Sequence, residues 1–125
     1  PGSPIDWAEM NHRFTAFDET SAVGYARLPS AGAQEQLRLG VCSCASLAHG
    51  YFHAYRALAA QTLDAVVHLG DYIYEYGTNE YGETRPYEPA HEILTLADYR
   101  TRYSQYRRDP DLQAVHAAHP FIVVW

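Results

Sequence analysis

Asp71, Tyr74 and Cys44 are the side chains whose types and settings offer chemistry in this chain. Asp71 follows a glycine that lets the backbone turn sharply after the apolar run Ala65-Val66-Val67, and Tyr74 comes three residues later. A carboxylate can bridge two cations, and a phenol can become a phenolate on a hard trivalent metal. Together they have the donors for half of a dinuclear metal centre. Each residue also has a plainer reading: Asp71 as a turn cap, Tyr74 as a packing tyrosine, Cys44 as a small buried hydrophobe.

Elements far apart in the sequence must position these residues. Residues 64–70 read as a buried parallel strand, because the run is β-branched and stops at Gly70. Residues 37–44 (LRLGVCSC) read as an earlier strand ending in a loop that carries Cys44. Between them, residues 50–61 place Phe52, Tyr55, Leu58 and Ala59 at helical spacing. A right-handed βαβ crossover puts the ends of both strands, with Cys44 and Asp71, on one edge of the sheet. In open α/β sheets that carboxyl edge is where ligands bind.

Downstream, residues 77–94 form a long polar loop with two glycines and two prolines, expected to cover the site or shape its mouth. Thr95 to Asp98 has the pattern of a capping box, and Leu96, Tyr99, Tyr103 and Tyr106 then trace one helical face as far as Arg107. Asp109-Pro110 starts a second helix, which runs to about Ala118 and is stopped by Pro120. Residues 121–125 (FIVVW) read as another buried strand. Upstream, residues 1–11 are irregular, 12–28 read as a hairpin around Asp18-Glu19-Thr20-Ser21, and 29–35 as a linker. A lone hairpin is unstable in water, so it must pack on the α/β portion or belong to something larger.

The 125 residues suffice for one ordinary domain, and an apolar fraction of 47% permits a real core. A net charge of -6 argues against a nucleic-acid-binding face. No apolar run is long enough to span a membrane, and the N-terminus has no signal-peptide pattern. Cys42 and Cys44, one residue apart on a strand, would place their Cα atoms roughly 6.5–7 Å apart, too far for an undistorted disulfide, so both are read as thiols. The eleven tyrosines read mostly as half-buried packing residues with wet hydroxyls. Among the histidines, His53 falls on the helix, His68 inside a strand, and His49 near the pocket; His91, His116 and His119 read as surface or cap residues. Arg100, Arg102, Arg107 and Arg108 read mainly as a solvated helix face. They and Arg85 are also the arginines available for a phosphate.

GDYIYEYG, read with CSCASLAHGYFHAYRAL before it and TLADYRTRYSQYRRDPDLQAVHAAHPFIVVW after it, resembles the first part of the PhoD-like alkaline phosphatases. These belong to the calcineurin-like metallophosphoesterase superfamily, and the likeness covers about residues 36–125. It implies a four-layer α/β/β/α phosphatase domain of the α/β class, begun at residue 35 and continuing past Trp125. Residues 1–34 would be the end of a small fibronectin-like β-sandwich plus a linker. It also implies iron(III) with calcium, held in part by Cys44, Asp71 and Tyr74, with Asp71 bridging. The activity implied is hydrolysis of phosphate monoesters or diesters by a metal-activated hydroxide, in a periplasmic or secreted protein. An Asp-Asp-His-Glu segment is expected just after Trp125, so this chain is expected to hold only part of the centre, with the remainder of the same protein as its partner. Two other readings stay open at this level: a non-catalytic extracellular binding fragment, and a purple-acid-type phosphatase, against which Cys44 argues.

Overall fold

The computed structural model describes residues 15–16, 19–20 and 36–124. Two short strands, β1 (Thr15–Ala16) and β2 (Glu19–Thr20), pair antiparallel with Thr15 opposite Thr20. This agrees with a hairpin, although Glu19 and Thr20, read as turn residues, lie in its second strand. The rest of the expected hairpin, the leading segment and the linker lie outside the described residues, as does Trp125.

The α/β portion follows the expected order: β3 (Leu39–Cys42), α1 (His53–Ala59), β4 (Ala65–His68), α2 (Leu96–Arg107), α3 (Pro110–Ala118) and β5 (Phe121–Val123). The strands form one parallel sheet in the order β3-β4-β5, with Cys42 opposite His68 and His68 opposite Val123. Strand alternation sorts their side chains. Val66 and His68 are fully buried on the face that carries α1 and α3, where Phe52, Tyr55, Leu112 and Val115 complete the core. The opposite face holds Leu39, Val41 and Ile122, which stay exposed.

The helix starts are set by chemistry legible in the sequence. The Thr95 hydroxyl accepts the Asp98 N–H while the Asp98 carboxylate accepts the Thr95 N–H, a reciprocal capping box. Asp109 caps α3 by accepting the N–H groups of Asp111 and Leu112, with Pro110 at the first helical position. The buried face of α2 matches the expected one at Tyr106 and otherwise differs. Leu96 and Tyr103 are exposed, and the fully buried residues are Arg102 and Tyr106. They lie four apart and so share a face.

The tyrosine hydroxyls are drier than expected. Tyr106 is buried and accepts the Leu47 N–H at 3.1 Å, Tyr55 reaches His68 Nε2 at 3.0 Å, and Tyr87 meets Ser46 Oγ at 3.1 Å. His116 and His119, expected at the surface or as caps, are half-buried and buried respectively. The Tyr72 hydroxyl lies 2.8 Å from His116 Nε2, and His119, the C-cap of α3, places Nε2 3.1 Å from the Leu58 carbonyl. His91 is exposed, as expected.

Candidate metal centre

Both strand ends turn through unusual backbone. Cys44 and Asp71 have φ of 55° and 53°, in the left-handed region that non-glycine residues rarely occupy, and Gly70 between β4 and Asp71 has φ 115°. Such strain persists only where surrounding contacts enforce it, and it concentrates at functional sites. Here the enforcing contacts run between the two turns. The Leu69 N–H donates to the Cys42 carbonyl at 2.8 Å and the Cys44 N–H to the Gly70 carbonyl at 3.1 Å.

The result is a convergence of two side chains on one atom of a third. The Cys44 thiol donates to Asp71 Oδ2 at 3.5 Å, and the Tyr74 hydroxyl donates to the same oxygen at 3.4 Å. Cys44 and Asp71 are exposed and Tyr74 is half-buried, so the cluster is open to solvent on one side. Cys42 and Cys44 are free thiols. Burial first, then the negative charge of Asp71, pushes the Tyr74 phenol well above its ordinary value. Left to itself, the cluster therefore keeps its phenolic proton. A cation among the three donors would reverse that balance, because thiolate, carboxylate and phenolate are the forms it stabilises. One sulfur and two kinds of anionic oxygen suit iron, and the residues present fit a metal of that type. Among the described residues no three His, Cys, Asp or Glu side chains gather as a metal-holding group; this cluster has two of those types, and its third donor is a phenol.

The supports of the cluster are the part that sequence reasoning missed. Arg102, placed by that reasoning on a solvated helix face, is fully buried. Its guanidinium donates to the carbonyls of Tyr74, Tyr76 (3.0 Å), Glu88 (3.0 Å) and Pro89 (2.9 Å), and lies 3.9 Å from the Tyr87 ring centroid. It thereby fastens the Tyr74 segment to the long loop. Arg85 donates to the Leu47 carbonyl at 3.1 Å and pairs with Asp109 at 2.6 Å, so it too is committed to structure. Tyr106 and Tyr87 hold residues 46–47, just beyond Cys44. The available signal was the spacing: Arg102 sits one turn from Tyr106, among aromatics, where a purely solvated arginine would face elsewhere.

The long loop reaches the rim of the cluster. Tyr81 packs against Tyr74 (5.7 Å between ring centroids), Tyr76 (4.6 Å) and His49 (4.6 Å). On the other side, a cleft of about 460 Å³ runs from Asp71 past Tyr72, Glu75, Tyr99 and Tyr103 to β5. His49 lines a second, shallower cleft beside β3 and sits 2.8 Å from Ser46 Oγ; His53 is exposed.

The sequence model of the PhoD-like phosphatase family matches residues 39–125. The chain belongs to the PhoD-like phosphatases. It is 48% identical over 120 residues to alkaline phosphatase D of Bacillus subtilis (strain 168), an alignment covering 91% of this chain and 20% of that protein. A solved structure described as that of PhoD superposes with a TM-score of 0.78 at 49% identity, over 86% of this chain and 22% of the other. The chain thus spans about a fifth of the length of the PhoD-like relatives it matches.

Proposed function

We propose that this chain carries one part of the metal centre of a PhoD-like enzyme that hydrolyses phosphate esters, with iron(III) and calcium as its ions. The observation that carries the reading is the approach of Cys44 and Tyr74 to the same Asp71 oxygen at the carboxyl edge of the sheet. Cys44 as thiolate, Tyr74 as phenolate and Asp71 across both ions would hold the metals. When bound, the ions supply Lewis acidity, neutralising phosphoryl charge and acidifying water for in-line attack. The chain's own contribution is placement. The strained turns aim the thiol and the carboxylate at each other, Arg102 fixes the Tyr74 segment, and the cleft beside Asp71 offers room for the ester. In a chain of net charge -6, bound cations are also the source of attraction for an anionic ester.

The exposed apolar face of the sheet supports the four-layer α/β/β/α arrangement, in which a second sheet would cover Leu39, Val41 and Ile122. The β1–β2 pairing is consistent with residues 1–34 ending a separate β-sandwich and residues 35–125 beginning the phosphatase domain. Further ligands would come from the remainder of the same protein, in a periplasmic or secreted setting. Family membership favours this reading over a purple-acid-type enzyme. Among the described residues no helix is long and apolar enough to cross a membrane.

The test is Asp71→Asn in the complete protein, with metal content by elemental analysis and hydrolysis of p-nitrophenyl phosphate and bis-p-nitrophenyl phosphate. Metal content and hydrolysis should fall together, by tenfold or more. Full occupancy with full activity would refute the assignment, and the ratio of the two substrates decides between monoester and diester preference.

A further inference from the structure

His68 is fully buried at the end of β4, and its ring is held at both nitrogens. Nδ1 accepts the Gly70 N–H at 3.3 Å, and Nε2 lies 3.0 Å from the Tyr55 hydroxyl. A ring nitrogen that accepts a backbone N–H carries no proton, so in this arrangement the proton sits on Nε2 and is donated to Tyr55. Tyr72 also packs against the ring at 5.1 Å between centroids. The contacts from Gly70 to His68 and from His68 to Tyr55 therefore brace the end of β4 from beneath. Gly70 is the residue before Asp71.

We infer that His68 is a positioning residue for the Asp71 carboxylate. By accepting the Gly70 N–H it holds the glycine turn that delivers Asp71 in its left-handed conformation, within reach of Cys44 and Tyr74. The Gly70 amide is buried beneath the turn and needs an acceptor there; without one, the turn relaxes toward conformations in which it finds another partner. His68 itself touches neither substrate nor metal. Its effect passes through backbone, in the way outer partners of ligands govern metal affinity.

The inference rests on the metal-centre reading for its consequence and on Gly70 for its geometry, so the two can be tested apart. In the complete protein, His68→Asn leaves an acceptor near the Nδ1 position, while His68→Gln leaves a polar group near Nε2 and none at Nδ1. Both lose a buried partner, and both should lower the melting temperature. Only His68→Gln should strip the protection of the Gly70 amide from hydrogen exchange and weaken metal binding by roughly 10- to 100-fold. His68→Asn should keep both within about threefold of the wild type. Equal Gly70 exchange in the two variants would overturn the inference. Histidine-selective nitrogen NMR of the wild type is the check that needs no variant. The Nε2–H tautomer is expected, and an Nδ1–H tautomer would overturn the inference, since Gly70 would then face a donor. Failure of the metal-centre reading has a different signature, namely unchanged metal content in Asp71→Asn.

Discussion

Replacing Arg102 by methionine removes the guanidinium that ties the Tyr74 segment to the long loop by hydrogen bonds, while keeping much of its apolar bulk. Four carbonyls, those of Tyr74, Tyr76, Glu88 and Pro89, lose their donor. These carbonyls belong to half-buried and exposed residues, so water replaces part of what is lost; each acceptor left unmatched costs about 1 kcal/mol, and the cation–π contact with Tyr87 is also lost. Against this, the variant no longer buries a guanidinium, whose desolvation already lowers the Arg102 pKa. A net cost of about 3 kcal/mol remains, and it falls on the loop rather than on the sheet. The loop's own amides report it. Thr78 N–H donates to the Ala90 carbonyl at 2.7 Å and Ile93 N–H to the Glu75 carbonyl at 2.9 Å. Hydrogen exchange at Thr78 and Ile93 should accelerate about a hundredfold in Arg102→Met while β4 amides change little. Arg102→Lys keeps the charge but has a single nitrogen that cannot serve four carbonyls, and should show a smaller acceleration, about tenfold. Unchanged exchange at Thr78 and Ile93 in Arg102→Met would refute the role assigned to this arginine.

Other features make separate predictions. Burial first, then the positive charge of Arg107, holds His116 down to about 4 from its usual 6.5. An unfolded chain binds that proton as pH falls below about 6.5 and the folded chain does not. The associated stability is thus complete above about pH 6.5 and lost progressively down to about pH 4. Discounted for partial exposure, the loss is about 1–2 kcal/mol, and His116→Gln should flatten the melting temperature between those limits; equal pH slopes in variant and wild type would contradict it. Gly82 has φ +86°, and a Cβ there would lie 2.7 Å from the Ala48 backbone. Gly82→Ala should therefore cost about 2–4 kcal/mol in denaturant unfolding and free the loop from the turn at residues 47–49, whereas a cost near zero would mean the loop is not held there.

Much of the fold was legible because local chemistry and periodicity agreed. The β-branched run at β4, the capping box at Thr95 and the Asp109-Pro110 start each encode their element without help from distant residues. The meeting of Cys44 and Asp71 was legible too, since it follows from parallel strands sharing an edge. The face of α2 was legible only in part, since Tyr106 is buried as its spacing suggests while Leu96 and Tyr103 are exposed. Apolar periodicity selected Leu96, Tyr99, Tyr103 and Tyr106, but Glu88 and Pro89 of the loop at 77–94 turn their carbonyls to α2, and Arg102 donates to them as no leucine can. His68 was legible as a residue of a buried strand, but its partner was not, and neither was the burial of His116: they pair with the hydroxyls of Tyr55 and Tyr72, and such pairings have no sequence period.

The most direct test of the central claim is anomalous X-ray diffraction from crystals of the complete protein, recorded on both sides of the iron absorption edge. An iron peak should lie in contact with Cys44 Sγ, Asp71 and Tyr74 Oη, and should be lost in Asp71→Asn. An iron peak elsewhere, with the Cys44 thiol and the Tyr74 hydroxyl still donating to Asp71 Oδ2, would contradict the account.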